Sequence, residues 1–267
     1  MRSIKKLMSL KGKRALITGA NGGIGRQLAR TITELDGDLI LVDRPNLDYS
    51  ELLDYIQGDS DSQISCVECD LENEEDRATL VSKVLSQKEP LNILINNAGL
   101  VGTSDLKGWV TDFNNQTVET WRRAIEVNLT AAFDLIKGLS PKLKESGNGS
   151  IINVGSTYGV AGPDYSLYEG TEMGSPAAYA ATKGGLIQLT RWMATTLAPD
   201  IRVNAFSPGG VFRGQPNKFV ERYEARTPLG RMATEEDYKG IVAYLASDLS
   251  AYVTGQNILV DGGWTVW

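Results

Sequence analysis

Thr18-Gly19-Ala20-Asn21-Gly22-Gly23-Ile24-Gly25 follows a short apolar run at 14–18 and opens a helical pattern over 23–35. Glycine lets the backbone turn sharply and lets a pyrophosphate approach with no Cβ in the way. The helix N-terminus that follows directs unpaired N–H groups at phosphate oxygens. Gly19, Asn21, Gly22, Gly23, Ile24 and Gly25 are therefore read as a phosphate cradle. The next strand-like run ends in Leu41-Val42-Asp43, which places Asp43 18 residues beyond Gly25. That is close to the spacing of about 20 at which a carboxylate reaches an adenosine ribose. A carboxylate there accepts from both ribose hydroxyls and repels a 2′-phosphate, so the reading favours NAD over NADP. Arg44, a guanidinium able to meet a phosphate, points the other way.

Outward from this turn, strand and helix patterns alternate along the whole chain. Apolar runs at 14–18, 38–42, 63–69, 93–95, 150–154, 201–205 and 257–260 read as buried parallel strands. Helical patterns fall at 23–35, 49–57, 74–87, 118–137, 176–197, 217–226 and 235–246. The expectation is a Rossmann-type, doubly wound α/β fold, a seven-stranded parallel sheet with helices on both faces. No linker or repeat interrupts it, so 1–267 reads as a single domain. One stretch differs: 161–176, AGPDYSLYEGTEMGSP, is acidic, punctuated by Gly and Pro, and without periodicity. It reads as a loop beside a strand's carboxyl end, where ligands bind in such folds.

Composition narrows the chemistry. With 27 Lys+Arg against 33 Asp+Glu, the net charge of −6 lacks the footprint of a nucleic-acid binder. No histidine is present among the 267 residues. That excludes a Ser-His-Asp triad, a His-ligated metal and an imidazole base, and no metal site is expected. Acid–base work near neutral pH falls to Tyr, Lys, Cys or a carboxylate. Cys66 and Cys69 lie three apart on a predicted strand, so their sulfurs diverge and read as core residues rather than a redox pair. No apolar run approaches the ~18 residues that cross a bilayer, and the basic start MRSIKKLMSLKGK lacks the apolar segment of a signal peptide. A cytoplasmic protein acting on a small molecule is expected.

Further motifs stand at successive strand ends: Asp70-Leu71, Asn96-Asn97-Ala98-Gly99, Ser156, Pro208-Gly209 and Val260-Asp261-Gly262-Gly263. Asn128 lies within a long helical pattern, and Tyr179-Ala180-Ala181-Thr182-Lys183 within another. In this order, together with TGANGGIG, they resemble the short-chain dehydrogenase/reductase family over almost the whole chain. The resemblance implies an NAD(P)-dependent oxidoreductase that interconverts a secondary alcohol and a ketone by hydride transfer. It implies cofactor contacts from Asp70, Leu71, Asn97, Ala98, Gly99, Pro208, Gly209 and Val211, with Lys183 holding the nicotinamide ribose. Tyr179 would be the proton-transfer group, Ser156 would polarise the substrate oxygen, and Asn128 would hold a water that links Lys183 to solvent. Relatives assemble as dimers or tetramers, which points to a homo-oligomer through the long helices, homotetramer included.

Tyr179 and Lys183 lie one helical turn apart and share a face. A free phenol has a pKa of about 10, and lowering it by ~2–3 units takes roughly 3–4 kcal/mol. An ammonium at ~4 Å supplies about 4 kcal/mol at an effective dielectric near 20. Lys183 is thus expected to acidify Tyr179, with the positive charge of an oxidised nicotinamide adding to it.

Two departures from the family pattern bear on substrate. Ser156 and Tyr179 are separated by 22 residues, more than is usual, and the excess falls in the aperiodic loop at about 157–178. Its Asp164, Tyr165, Tyr168, Glu169 and Glu172 are expected near the substrate opening, with Tyr168 a substrate contact. Arg213 stands where the family commonly has Thr. It either pairs with an anionic substrate group or bridges to an acid of that loop. YEGTEMGSP, PGGVFRGQP and DGGWTVW together resemble a subgroup of bacterial surface-sugar and flagellin-modification reductases, so a sugar or sugar derivative is the expected substrate. Alternatives are a nucleotide-sugar epimerase or dehydratase, and a non-catalytic NAD-binding regulator. Trp264 and Trp267 are expected to be buried against a neighbouring subunit.

Overall fold

The structure is a computed structural model that describes residues 1–57, 61–102 and 104–267. Seven parallel strands, β1 (Arg14–Thr18), β2 (Asp38–Asp43), β3 (Ile64–Glu68), β4 (Ile93–Asn96), β5 (Gly149–Val154), β6 (Ile201–Pro208) and β7 (Asn257–Val260), lie in the order β3-β2-β1-β4-β5-β6-β7. The connection direction reverses between β1 and β4, which opens a crevice beyond their carboxyl ends. Nine α-helices are described: α1 (Ile4–Met8), α2 (Gly23–Glu34), α3 (Ser50–Gln57), α4 (Glu74–Leu85), α5 (Val118–Ile125), α6 (Ala131–Glu145), α7 (Ala177–Thr196), α8 (Asn217–Arg226) and α9 (Lys239–Ala246).

Each sheet face buries its own core. Leu28 and Ile32 of α2, Leu52 and Ile56 of α3, and Val242 and Leu245 of α9 pack over one face of β1 and β2. Leu80 and Val84 of α4, Leu135 and Leu139 of α6, and Met193 of α7 pack over the other. Alternation along the central strands feeds both: Ile17 enters the first core and Leu16 the second. The cysteines part in the same way, Cys66 against the first core and Cys69 inside the second, both free thiols. Burial pushes the Cys69 thiol up to about 12, consistent with an inert core residue.

Three elements differ from expectation. The helical pattern at 118–137 is two helices joined by a π turn, Glu126–Thr130, and α6 runs past Pro141 to Glu145. The pattern at 235–246 begins as a 3-10 turn, Glu235–Tyr238, before α9. The short α1, capped by Ser3 accepting from the Lys6 amide, carried too little apolar pattern to be read.

Candidate active site

A cavity of about 980 Å³ opens along the carboxyl edge of the sheet, lined from Asp43 and Arg44 at one end to Tyr158 and Tyr168 at the other. This is at the large end of the 300–1,000 Å³ typical of small-molecule sites, room for a dinucleotide and a substrate together. Its floor is the glycine turn. Gly19 has φ +63°, and a methyl group there would come within 2.8 Å of Ala98 Cα. A methyl on Gly25 would lie 2.1 Å from Gly19 O, so neither position tolerates a side chain. Asn97 secures the turn by donating from Nδ2 to the carbonyls of Thr18 (3.0 Å) and Gly19 (2.9 Å). Asp43 Oδ2 accepts from the Asn21 amide at 2.9 Å and Oδ1 from the Arg44 amide at 2.9 Å, so the carboxylate braces the turn and still lines the cavity.

The N-termini of α2 and α4 show what the turn is for. The α4 N-cap is Asn73, whose Oδ1 accepts from the Glu75 and Asp76 amides, and three acids fill its first turn. The α2 N-cap is Gly22, with no side-chain cap and no acid in the first turn. With no side chain capping its N–H groups, its dipole is left to favour a bound anion. The residues fit the pyrophosphate of a dinucleotide.

Every residue named above for cofactor or catalysis lines this cavity except Asn128, which lies directly behind it, and Tyr168 and Arg213 line it too. Asn128 sits in the π turn, 2% exposed. Its Oδ1 accepts from the Leu100 amide at 2.7 Å, and its Nδ2 donates to Leu100 O (3.1 Å) and Thr182 Oγ1 (3.1 Å). Lys183 meets it behind Gly99: a methyl there would come within 3.2 Å of Asn128 Oδ1 and 3.6 Å of Lys183 Nζ. Ser156 caps the 3-10 turn Thr157–Gly159, its Oγ accepting from the Tyr158 amide at 3.1 Å. That turn packs on α7 through Gly159, where a methyl would lie 2.8 Å from the Lys183 backbone carbon. Glycine contact is thus what brings the end of β5 against the helix that carries Tyr179 and Lys183.

The electrostatics correct one expectation. Lys183 Nζ donates to Val154 O at 2.7 Å and stands 5.9 Å from the centroid of the Tyr179 ring. Burial lowers its pKa to about 8. Burial raises the Tyr179 hydroxyl above its ordinary value, opposed by a hydrogen bond with Ser156 and then by the charge of Arg213. Spacing alone pairs a fully charged ammonium with a solvated phenol. In the fold both groups lose water, and Tyr179 is held in its protonated form.

The substrate end is assembled from side chains. The loop at about 157–178 folds into two 3-10 turns, Thr157–Gly159 and Tyr165–Tyr168. Its Leu167 joins Phe219, Tyr223, Met232 and Trp264 in a small third core. Arg226 pairs with Asp164 at 2.5 Å, and Arg222 Nη1 donates to Glu169 O at 2.6 Å. Of the five loop residues expected at the opening, Tyr168 and Glu172 line the cavity and Asp164, Tyr165 and Glu169 do not. Arg213 does not bridge to a loop acid; its Nε donates to Glu235 at 3.0 Å. Trp264, expected at a subunit contact, is 1% exposed within its own chain, because the loop and α8 cover it. Trp267 is 72% exposed.

Three residues escaped sequence reading. Tyr158 shares a 2.5 Å hydroxyl–hydroxyl hydrogen bond with Tyr168 and lines the cavity; its position two residues after Ser156 was the available signal. Tyr223 Oη accepts from the Gly210 amide at 2.5 Å, and Glu235 comes from a distant segment, neither with any local mark.

Comparison with known proteins agrees with this geometry. The family model described as enoyl-(acyl carrier protein) reductase matches residues 19–265. A tropinone reductase homolog of Arabidopsis thaliana is 34% identical over 269 residues, covering 98% of this chain and 95% of that protein. The structure of a short-chain dehydrogenase from Leptospira borgpetersenii with bound NAD+ superposes with a TM-score of 0.84 at 35% identity, covering 99% of this chain and 96% of that one. A gluconate 5-dehydrogenase from Burkholderia cenocepacia, in complex with NADP and tartrate, has a TM-score of 0.84 at 26% identity over 99% and 100% of the two chains. With the glycine cradle, the seven-stranded sheet and these likenesses along its whole length, the chain belongs to the short-chain dehydrogenase/reductase family, NAD(P)-dependent oxidoreductases of CH–OH donors.

Proposed function

We propose that this chain interconverts a secondary alcohol and a ketone on a small polyhydroxylated substrate, a sugar or sugar derivative, with NAD in preference to NADP. The observation that carries the alcohol chemistry is the convergence of Tyr179, Ser156 and Lys183 on the cavity beside the glycine cradle, with Asn128 behind. A bound nicotinamide supplies the hydride acceptor or donor. Tyr179 exchanges the proton at the substrate oxygen. Ser156 hydrogen-bonds that oxygen and orients the phenol, in line with its pull on the Tyr179 hydroxyl. Lys183, its own proton loosened by burial, holds the nicotinamide ribose and passes the proton onward. Asn128 holds the Leu100 backbone and the Thr182 hydroxyl behind Lys183, where a relay water would sit. A phenol held protonated suits the donation of a proton to a ketone at neutral pH.

Preference for NAD rests on Asp43 at the end of β2, which would face a 2′-phosphate with like charge. Exposed Arg44 beside it is the feature that would support NADP. The polyhydroxylated substrate rests on the Tyr158–Tyr168 pair. Burial raises both phenols, Tyr168 to about 12, so they remain neutral. Between them they offer the cavity one O–H donor and several lone pairs, the complement of an alcohol. A gluconate dehydrogenase among the similar structures supports the same substrate class. We propose the cytoplasm as its location and a dimer or tetramer as its state. Val118, Trp121 and Phe133 of α5 and α6 and Trp192 of α7 leave large apolar groups exposed for such a contact.

The test is absorbance at the reduced-nicotinamide band with a panel of polyols, ketoses and acyl thioesters, each with NAD and with NADP. A net change with a polyol or ketose and NAD is expected. Product without net change would make the chain an epimerase or dehydratase, and silence across the panel would favour a regulator.

A further inference from the structure

Arg213 and Glu235 form an ion pair that lies across the start of α2. A methyl group built on Gly23, the first residue of that helix, would come within 2.7 Å of Arg213 Nη2 and 2.7 Å of Glu235 Oε1. The pair therefore touches the uncapped helix N-terminus, while the Arg213 charge also reaches the Tyr179 hydroxyl. Arg213 spends Nε on Glu235, and among the described residues its two terminal nitrogens have no hydrogen-bond partner. Arg213 lines the cavity, and the side chains of the pair are 42% and 31% exposed.

Charge decides what this arrangement is for. Glu235 alone would set a carboxylate against the place where the helix dipole invites an anion, and would repel a diphosphate. Arg213 neutralises it, and Glu235 in return fixes the guanidinium by its Nε, with Nη2 beside the first residue of α2. We infer that Arg213 clamps the pyrophosphate of the dinucleotide, with Glu235 as the counter-charge that orients it. This rests on the dinucleotide reading of the cavity, and it assigns Arg213 to the cofactor rather than to an anionic group of the substrate. A planar fork of donors meeting two phosphate oxygens is a strong, geometrically selective contact.

Equilibrium binding of NADH, ADP-ribose and adenosine to the wild type, Arg213→Ala, Arg213→Lys and Arg213→Ala/Glu235→Gln tests this without turnover, by calorimetry. Arg213→Ala is expected to weaken NADH and ADP-ribose by about 10- to 100-fold and to leave adenosine, which lacks phosphates, unchanged. Unchanged adenosine binding also shows that the variant is folded. Arg213→Lys should recover part of the loss, and removing the Glu235 charge from the Arg213→Ala variant should recover part as well. Equal affinity of the wild type and Arg213→Ala for ADP-ribose, with a raised substrate KM, would overturn the inference and return Arg213 to the substrate. Failure of the wild type to bind any of the three would overturn the dinucleotide reading and this inference with it.

Discussion

The two ends of the cavity are built by different means. At the cofactor end, the turn after β1 is fixed by backbone: glycines that admit no side chain, Asn97 and Asp43 bonded to main-chain groups, and central strands with Leu16 and Ile17 fully buried. At the substrate end, the loop at about 157–178 is held by a separate patch of side chains, with Trp264 stacked on Tyr223 at 5.9 Å and edge-on to Tyr158 at 6.0 Å. The sheet dictates the first, and the second sits on it as an attachment. Substrate geometry can then vary without disturbing the dinucleotide site, which is how one fold serves many substrates.

The sharpest way to break this contrast is to remove the substrate end's anchor. Trp264→Ala should cost about 3–5 kcal/mol of stability and raise substrate KM. NADH affinity should stay near wild type, as read by thermal melts and calorimetry. Its counterpart is Gly25→Ala, whose methyl would collide with Gly19 O. NADH affinity should fall by at least about tenfold, one pyrophosphate contact's worth, with the near-ultraviolet circular dichroism of the aromatic patch intact.

Lys183→Met probes burial at the junction of the two ends. Lys183 titrates at about 8 in the fold against about 10.4 free. Between those values the unfolded chain binds more protons, so wild-type stability rises with pH across that window, by about 3 kcal/mol in full. Below pH 8 the buried charge is a standing cost. Ligand-free Lys183→Met should therefore melt higher than wild type at pH 7, and the advantage should shrink between about pH 8 and 10.4. The smallest effect is Tyr168→Phe, which removes one hydroxyl of the pair at the opening. It should raise KM for a polyol several-fold, about 1 kcal/mol, and leave a mono-alcohol of the same skeleton unaffected.

What the sequence disclosed follows the same division. β1, β7 and α8 run between the residues read for them, because Arg14–Thr18 and Asn257–Val260 are clean apolar runs and Asn217–Arg226 has sharp Pro and Thr boundaries. The residues of the cofactor end are local motifs at strand ends, so spacing alone located them. The helical pattern at 118–137 stops ahead of Gly138, Ser140 and Pro141, yet packing over β4 and β5 carries α6 through them. Glu235, Tyr223 and the cover over Trp264 come from segments brought together only by the fold, and no local pattern announces such contacts. The acidity of Tyr179 was misjudged for a related reason: spacing gives the proximity of Lys183 but not the water both groups lose.

The central claim is that Tyr179 moves the proton at the substrate oxygen while the dinucleotide is held independently by the glycine cradle. Tyr179→Phe, assayed for NADH affinity by calorimetry and for ketone reduction by absorbance, tests it most directly. The account predicts unchanged affinity with turnover reduced by at least about 100-fold. A variant that keeps most of its turnover would contradict it.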